Sequence, residues 1–250
     1  MKRAFLEKQS MEFSKLKQNF SLRISTPKHF PFDVAQTLQK DLEELCKKHD
    51  EVFVCLSGGQ TPLETYKILG SDFYNSISWQ NIVFFVGDER VTDIEHDINS
   101  FNIRKSFSID TLRLVDWYGN NSRLSIEYFN ETLARLGVVE NGFHLLLLGL
   151  GEDGHLAGLF PGSNYDDLVV CESMVPSSGQ KRVSIGPRLI KESKKIYVLV
   201  KGKNKSAIIK KIFTEHHDPM NVPAEILFHS NNPVTFFVDE EAISLLNIKT

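Results

Sequence analysis

Residues 145–155 read LLLLGLGEDGH, a pattern typical of a buried strand that ends in a glycine-rich loop. The four leucines form the short apolar run that a strand covered on both faces requires. Gly149 and Gly151 let the backbone turn sharply and approach a ligand closely. Asp153 and His155 follow at once, and ligands of open α/β sheets bind beside such strand ends. A short Asp-Gly-His segment also fits an ordinary solvated turn, so the choice between a ligand site and a plain turn depends on the other segments of the chain.

The composition is that of an ordinary globular protein, and it excludes several functions. The chain has 250 residues, of which 41% are hydrophobic and 24% are charged, enough apolar material for a sizeable core. The formal net charge of −3 argues against a nucleic-acid binder or a protein held on anionic membranes, since both need a basic surface. A small anionic substrate requires only a few local cations and remains compatible with this charge.

The cysteines and the first residues indicate a cytoplasmic chain. Cys46, Cys55 and Cys171 are far apart and form no Cys-x-x-Cys pair, which predicts neither a disulfide framework nor a structural zinc site. Residues 1–20 carry both signs of charge and lack the apolar core of a secretory signal, and no later stretch is apolar enough to span a bilayer. We therefore expect no nucleic-acid partner, no membrane, and a monomer or a weak homo-oligomer.

Apolar segments alternate with helical patterns along the chain. Nearly all-apolar strands are predicted at 52–56, 82–86, 143–148, 196–200 and 234–238. Helices are predicted at 33–49 with Asp33 as the cap, from Pro62 to about Leu69, and at 98–107, 123–136, 203–213 and 223–228. The stretch from Ser163 to about Lys181 is predicted to be irregular. The alternation predicts one α/β domain at residues 31–250, a Rossmann-like, doubly wound and mainly parallel sheet with helices on both faces. Residues 1–30 are interpreted as a polar N-terminal lead-in.

Residues 57–61, SGGQT, place small residues between a predicted strand and a predicted helix. Backbone N–H groups of Gly58 and Gly59 at a helix N-terminus would cradle a phosphate, and the hydroxyls of Ser57 and Thr61 would add donors. No Gly-Lys-Ser or Gly-Lys-Thr follows, so the segment is not a Walker A loop. A plain tight turn is the alternative.

Charged residues follow other strands of the predicted sheet. Asp88 and Arg90, in the DER segment after the strand at 82–86, predict a polar site in which the arginine holds phosphate or carboxyl oxygens with its planar fork. A solvated loop with a local ion pair is the alternative. Lys205 lies at a strand-to-helix junction and would add charge to an anion site. Arg182 is either a further anion contact or a surface residue.

His155 is the candidate proton acceptor. An imidazole takes a proton from water near neutral pH, and a nearby carboxylate such as that of Asp153 orients the ring. The carboxyl ends of parallel strands lie along one edge of a sheet. We therefore expect these separate segments to meet in one pocket, with a phosphate cradle on one side and a proton acceptor on the other.

Taken together, these segments resemble the 6-phosphogluconolactonases. The matching segments are LSGGQTP at 56–62, FFVGDER at 84–90, LGLGEDGH at 148–155, LFPG at 159–162, VKG at 200–202 with Lys205, and Pro223-Ala224. They occur in the family's order over roughly residues 33–240. The resemblance implies the parallel-sheet fold that this family shares with the glucosamine-6-phosphate deaminases. It also implies hydrolysis of 6-phosphogluconolactone to 6-phosphogluconate in the oxidative pentose phosphate pathway.

Two features separate the lactonases from the related deaminases. The lactonases carry Asp-Glu-Arg after the second strand, where the deaminases carry Asp-Glu-Tyr, and this chain has Arg90. After the histidine the lactonases have a Leu-Phe-Pro-Gly ending, as at 159–162, whereas the deaminases have an Asn-Glu-Pro type whose glutamate assists ring opening. The chain therefore resembles the lactonases more. A deaminase/isomerase and a non-catalytic sugar-phosphate-binding module are the alternatives.

The resemblance assigns roles to the candidate residues. His155 would be the general base that activates water, Asp153 would support its ring, and Arg90 would stabilise the oxyanion of the intermediate. The substrate and its phosphate are expected to contact Ser57, Gly58, Gly59, Thr61, Asp88, Arg182 and Lys205. No metal ion and no cofactor is expected.

The chain departs from the family pattern in three places. Where the family usually reads His-Thr-Ala-Ser, residues 155–158 read HLAG. The family's Ser-Asn pair appears reversed as Asn99-Ser100, and its Arg-x-Thr-Leu-Thr segment reads RVSIG at 182–186. None of these changes removes a group proposed for catalysis, but each bears on efficiency and substrate preference.

Overall fold

The computed structural model describes residues 19–117 and 121–246. The strands in them are β1 Phe20–Ser25, β2 Val52–Leu56, β3 Ile82–Val86, β4 Asp88–Arg90, β5 Leu114–Val115, β6 Leu145–Gly149, β7 Val170–Met174, β8 Lys181–Ile185, β9 Ile196–Val200 and β10 Val234–Asp239. The helices are α1 Phe30–Lys48, α2 Gln60–Ser71, α3 Asn99–Phe107, α4 Ser122–Arg135, α5 Val138–Asn141, α6 Pro187–Glu192 and α7 Ser206–Thr214, with short 3₁₀ segments between them.

Seven strands form one parallel sheet in the order β1-β10-β9-β6-β2-β3-β5. Strands β3 and β9 are buried along their whole length, and β2 and β6 nearly so. A parallel strand that is covered on both faces needs a continuous apolar run, which is why the predictions at 52–56, 82–86 and 196–200 coincide with the observed bounds. The predicted α/β class is confirmed.

The start of the domain differs from the sequence interpretation. Residues 20–25, assigned to the polar lead-in, form β1 and pair with β10 at the edge of the sheet. Most of the strand is only partly buried, so it lacks the all-apolar run that identified the central strands. Helix α1 begins at Phe30, with Pro31 in its first turn, so Asp33 lies inside the helix and is not its cap. Residues 1–18 of the predicted lead-in lie outside the described residues.

A second sheet includes β7, which lies in the stretch up to Lys181 for which an irregular structure was predicted. Strands β7 and β8 form an antiparallel hairpin, and β8 also pairs with β4. The register places Asp88 opposite Ser184 and Arg90 opposite Arg182. This small sheet therefore brings the segment after β3 and the distant Arg182 together beside the main sheet. No helix in the described ranges is both long and apolar enough to cross a membrane.

His144 completes the hydrogen bonding at the amino end of β6. Its backbone N–H donates to the carbonyl oxygen of Phe53, and its ring Nδ1 accepts the Phe53 N–H, both at 2.9 Å. Nδ1 must therefore carry no proton. Burial lowers the pKa of His144, and the nearby His49 and Lys194 lower it further.

We expect this histidine to make stability depend on pH. Because its pKa in the folded protein lies below the ordinary value of 6.5, the unfolded chain binds the proton more tightly. The free energy of unfolding should fall as the pH drops below about 6.5, and loss of the Phe53 hydrogen bond costs about 1 kcal/mol. Urea unfolding at pH 7.5 and 5.5 should show a larger acid loss for the wild type than for His144→Gln, whose side chain does not titrate. Equal losses would contradict this role.

Candidate active site

The predicted segments meet in one cleft of about 620 Å³ at the carboxyl ends of β2, β3, β6 and β9. Ten residues were singled out from the sequence, and all of them line it: Ser57, Gly58, Gly59, Thr61, Asp88, Arg90, Asp153, His155, Arg182 and Lys205. Neighbouring strands of a parallel sheet end at the same edge, so four distant segments of the chain come together there.

One wall of the cleft is the turn from β2 into α2. Gly59 lies in the left-handed region with φ of +88°, and α2 begins at the next residue. The first N–H groups of a helix have no acceptor within the helix, and Gln60 and Thr61 line the cleft, so their N–H groups are available to an anion there. The Ser57 hydroxyl is used within the protein: it accepts the Gly149 N–H at 3.2 Å and donates to the Gly58 carbonyl oxygen at 3.3 Å. It therefore joins the ends of β2 and β6.

Asp88 and Arg182 form a buried ion pair in the floor of the cleft. The Arg182 Nη1 lies 3.4 Å from Asp88 Oδ2, and the two side chains are only 12% and 10% exposed. Burial raises the pKa of Asp88, while the positive charges of Arg182 and Arg90 oppose the rise. Burial likewise lowers the pKa of Arg182. Arg182 is therefore a residue of the cleft, and the interpretation as a surface residue was wrong.

Glu89 has a structural task that the sequence did not reveal. Asn99 and Ser100 are the first residues of α3. The Glu89 carboxylate accepts their N–H groups at 2.6 and 2.8 Å. Burial raises the pKa of Glu89, although these hydrogen bonds oppose the rise. Negative charge at a helix N-terminus is stabilising, so Glu89 fixes α3 against β4.

Asn99 belongs to the cleft and was missed as a site residue. Its side-chain amide donates to the Asp88 carbonyl oxygen at 2.8 Å. A Cβ on Gly58 would lie 2.2 Å from the Asn99 Cγ, so only glycine leaves room for this side chain. Because asparagine comes first in the reversed Asn99-Ser100 pair, the Asn99 side-chain amide lies against the turn at Gly58.

Arg90 reaches the cleft from β4, directly opposite Arg182. Its Nη1 donates to the Asp97 carbonyl oxygen, which holds the guanidinium against the 3₁₀ turn at Glu95–Asp97. The remaining N–H groups of a guanidinium form a planar fork that suits phosphate or carboxyl oxygens. Two arginines from neighbouring strands therefore supply positive charge to one region of the cleft.

Asp153 and His155 form a hydrogen-bonded pair in the loop after β6. The His155 Nδ1 lies 2.6 Å from Asp153 Oδ1, which also accepts the His155 backbone N–H at 3.1 Å. Burial raises the pKa of Asp153, but its hydrogen bonds with His155 oppose this effect, and the net pKa lies below its ordinary value. An ionised carboxylate only accepts hydrogen bonds, so Nδ1 carries the proton and Nε2 is the basic nitrogen of the neutral ring.

Glycines make the close approach of this pair possible. A Cβ on Gly151 would lie 2.1 Å from the His155 Nδ1 and 2.6 Å from Asp153 Oδ1. Gly154 has φ of +88°, and its carbonyl oxygen accepts the Ala224 N–H at 2.9 Å. The Pro223-Ala224 segment singled out in the sequence thus supports the back of the His155 loop.

The hairpin of the small sheet and a phenylalanine complete the cleft. Val175, Pro176 and Ser177, at the β7–β8 turn, line it together with Phe160. The Phe160 ring packs against the His155 imidazole with ring centroids 4.8 Å apart. The turn was missed because no local pattern in it signals a site, and it reaches the cleft only through the pairing of β8 with β4.

The departures at Leu156 and Gly158 fit the packing of this chain. Leu156 is fully buried under the loop and pairs with Leu150 and Leu159 in isolated bridges. A Cβ on Gly158 would lie 2.8 Å from the Ser184 Cβ, and the Gly158 N–H donates to the Ser184 hydroxyl at 2.9 Å. A serine at position 158 would therefore require a local shift.

The geometry defines a parallel α/β protein in which one cleft brings together two arginines, a lysine and a hydrogen-bonded aspartate–histidine pair. The profile of the family described as "Glucosamine-6-phosphate isomerases/6-phosphogluconolactonase" matches residues 25–236. A 6-phosphogluconolactonase of Haemophilus influenzae is 32% identical over 206 residues, which make up 78% of this chain and 88% of that protein.

Solved structures show the same fold. The crystal structure of devB protein aligns with a TM-score of 0.80 and 31% identity, covering 91% of this chain and 99% of that chain. A monomeric glucosamine-6-phosphate deaminase aligns with a TM-score of 0.75 and 22% identity, covering 90% and 99%. The chain belongs to the glucosamine-6-phosphate isomerase/6-phosphogluconolactonase family.

Proposed function

We propose that this protein hydrolyses 6-phosphogluconolactone to 6-phosphogluconate in the oxidative pentose phosphate pathway. The observation that carries the proposal is the Asp153–His155 pair, which faces the same cleft as the cradle at Gly58 and Gly59. Similarity to proteins named 6-phosphogluconolactonase, at about 30% identity over most of the chain, supports the lactone as substrate. Arg90 and the LFPG ending at 159–162 favour the lactonase branch over the deaminase branch.

In this scheme His155 Nε2 takes a proton from a water molecule as that water attacks the lactone carbonyl carbon. Asp153 holds the ring and stabilises the imidazolium that forms. The tetrahedral intermediate carries a negative oxygen, which Arg90 stabilises. Collapse of the intermediate breaks the ring C–O bond, and the imidazolium returns its proton to the leaving ring oxygen. The step needs only protein side chains and water.

The other end of the substrate carries the phosphate. We assign it to the first N–H groups of α2, the Thr61 hydroxyl, Lys205 and the free edge of Arg182. Asp88 only accepts hydrogen bonds when ionised, so it orients Arg182 and does not contact phosphate itself. The Ser57 hydroxyl supports the turn. We place the reaction in the cytoplasm, where the unpaired Cys46, Cys55 and Cys171 would stay reduced.

The decisive experiment measures 6-phosphogluconate formation from freshly prepared 6-phosphogluconolactone. The product is oxidised by excess 6-phosphogluconate dehydrogenase, NADPH is followed by absorbance, and the spontaneous hydrolysis rate is subtracted. A rate well above the spontaneous one is expected. A parallel assay for ammonia release from glucosamine 6-phosphate should remain at background. Ammonia release without lactone hydrolysis would assign the chain to the deaminases, and binding of 6-phosphogluconate without either activity would assign it to sugar-phosphate-binding modules.

Replacing Lys205 with alanine should mainly weaken substrate binding. Burial lowers the pKa of Lys205, but Glu152 and Asp153 oppose this, and its ammonium group faces the cleft. A hydrogen bond from a charged group contributes about 1.5–3 kcal/mol, so KM should rise about tenfold or more while kcat stays within about threefold. Lys203→Ala, an exposed lysine in the same 3₁₀ turn, is the matched control and should resemble the wild type. A change confined to kcat would contradict phosphate binding by Lys205.

A further inference from the structure

Asp239 is a fully buried carboxylate that no step of the proposed reaction uses. It ends β10 and has no accessible surface. Both of its oxygens accept the Gly202 N–H, at 3.0 and 3.1 Å, and Oδ1 also accepts the Ala242 N–H at 2.8 Å. Within 19–117 and 121–246 it forms no ion pair with a cationic side chain. A buried carboxylate is costly unless hydrogen bonds stabilise it, and here backbone N–H groups do so.

The hydrogen bonds of Asp239 hold the turn that carries Lys205. Gly202 has φ of +99°, a conformation that glycine adopts freely, and it immediately precedes the 3₁₀ turn Lys203–Lys205. Its carbonyl oxygen accepts the Lys205 N–H at 3.0 Å. Gly202 therefore connects the two side chains' segments: its N–H donates to Asp239, and its carbonyl oxygen accepts the Lys205 N–H.

Three further contacts hold the same turn. The half-buried one is the hydrogen bond from the Ser206 hydroxyl to the Lys203 carbonyl oxygen at 2.7 Å, and the other two lie at the surface. The Asn204 amide donates to Glu152 at 2.6 Å, and Lys201 forms an ion pair with Glu64 of α2 at 3.0 Å. Exposed pairs of this kind contribute little to stability. Asp239 is buried and accepts several hydrogen bonds, so it has the larger influence on the course of the turn.

We infer that Asp239 is a positioning residue for Lys205, setting where the ammonium group meets the substrate phosphate. The inference rests on the proposed function, because it takes Lys205 to be a phosphate contact. Loss of the carboxylate frees the Gly202 N–H and lets the turn adopt other conformations. The lysine then spends less time in reach of the phosphate, so binding weakens while the Asp153–His155 pair is unchanged.

The test compares Asp239→Ala, Asp239→Asn, Lys205→Ala and the double variant Asp239→Ala/Lys205→Ala. Asp239→Ala should raise KM for 6-phosphogluconolactone and Kd for 6-phosphogluconate by about tenfold, with kcat within about threefold of the wild type. Asp239→Asn should recover most of the affinity, because an amide oxygen at the Oδ1 position still accepts both N–H groups. Asp239→Ala should add little in the Lys205→Ala background, since both changes remove one contact.

A matched control separates positioning from general stability. Asp41 accepts hydrogen bonds from Lys195 and Tyr197 at the opposite end of β9 and is also mostly buried. Asp41→Ala should lower the melting temperature and leave KM unchanged. If Asp239→Ala does not fold, Gly202→Ala tests the same link, because an alanine at φ of +99° is strained. Gly202→Ala should raise KM by a similar factor, and adding it to Lys205→Ala should raise KM little further.

Several results would overturn the inference. The inference fails if Asp239→Ala folds and binds 6-phosphogluconate like the wild type, or if its effect adds fully to that of Lys205→Ala. Equal losses of kcat on phosphorylated and unphosphorylated gluconolactone with unchanged KM would indicate a structural role alone. A wild-type protein without lactonase turnover contradicts the proposed function instead. The inference is then judged by 6-phosphogluconate affinity, and it fails if Lys205→Ala leaves that affinity unchanged.

Discussion

Replacing His155 with asparagine is expected to remove most lactone turnover while leaving the fold and product binding in place. The imidazole Nε2 is the basic nitrogen of the Asp153–His155 pair, and an asparagine amide offers no comparable proton acceptor. A positioned general base contributes about 10²–10⁴-fold to a rate, so kcat should fall within that range. Steady-state kinetics with the spontaneous rate subtracted measures the loss, and calorimetric titration with 6-phosphogluconate checks that binding persists.

An exposed histidine provides the control for this change. His216→Asn removes a ring outside the cleft and should keep wild-type kcat and KM. If His155→Asn hydrolyses the lactone at the wild-type rate, another group must activate the water. If His155→Asn loses turnover and 6-phosphogluconate binding together, the ring contributes to binding. The proposal that one side of the cleft binds phosphate while His155 on the other side activates water is then wrong.

Replacing Gly151 with alanine is expected to lower kcat by about 10²-fold without unfolding the protein. The new methyl group would lie 2.1 Å from the His155 Nδ1 and 2.6 Å from Asp153 Oδ1. The ring is the movable partner in this contact, so it rotates away and the fold survives. A displacement of about 1 Å in a reacting group costs on the order of 10²-fold in rate. KM should change little, because the residues proposed to bind the phosphate lie elsewhere in the cleft.

The neighbouring Gly149 offers a matched comparison. A Cβ there would lie 3.5 Å from the Ser57 Oγ, an ordinary contact, and neither glycine has a positive φ. Gly149→Ala should therefore keep kcat within a few-fold of the wild type, with melting temperatures similar for both variants. Equal activities of the two variants would show that the Asp153–His155 pair tolerates the displacement and that its geometry is not critical for turnover.

The parts of the fold that could be predicted are those in which burial alone decides the residue pattern. Strands such as β2, β3 and β9 are apolar throughout because helices or loops cover both faces. Strands β1, β7 and β8 are partly exposed, and β4 is the charged triplet Asp88–Arg90, so none of them carries that pattern. The order of strands in the sheet depends on long-range packing, and no local signal in the sequence reports it.

The residues of the candidate site likewise differ in whether the sequence could predict them. Residues directly after a central strand, such as Asp153 and His155, could be placed at one edge because parallel strands share it. Asn99 and the turn at 175–177 reach the cleft because α3 packs beside β4 and β8 pairs with β4, and the sequence did not reveal either contact. The hydroxyl of Ser57 was expected to bind phosphate; in this structure it accepts the Gly149 N–H and donates to the Gly58 carbonyl oxygen, and its contact with the substrate stays a prediction. The role of a polar group depends on its neighbours, which only the fold supplies.

The ladder between β4 and β8 has a consequence for how the protein tolerates heat. It sets Arg90 and Arg182 side by side, and two like charges on directly opposed residues repel. Asp88 pairs with Arg182, and an anion that binds beside both guanidinium groups would weaken the repulsion between them and so raise the free energy of unfolding. Exchanging Arg90 for a neutral residue would therefore lower ligand affinity and raise the melting temperature, whereas removing Arg182 would leave the buried Asp88 without its cationic partner.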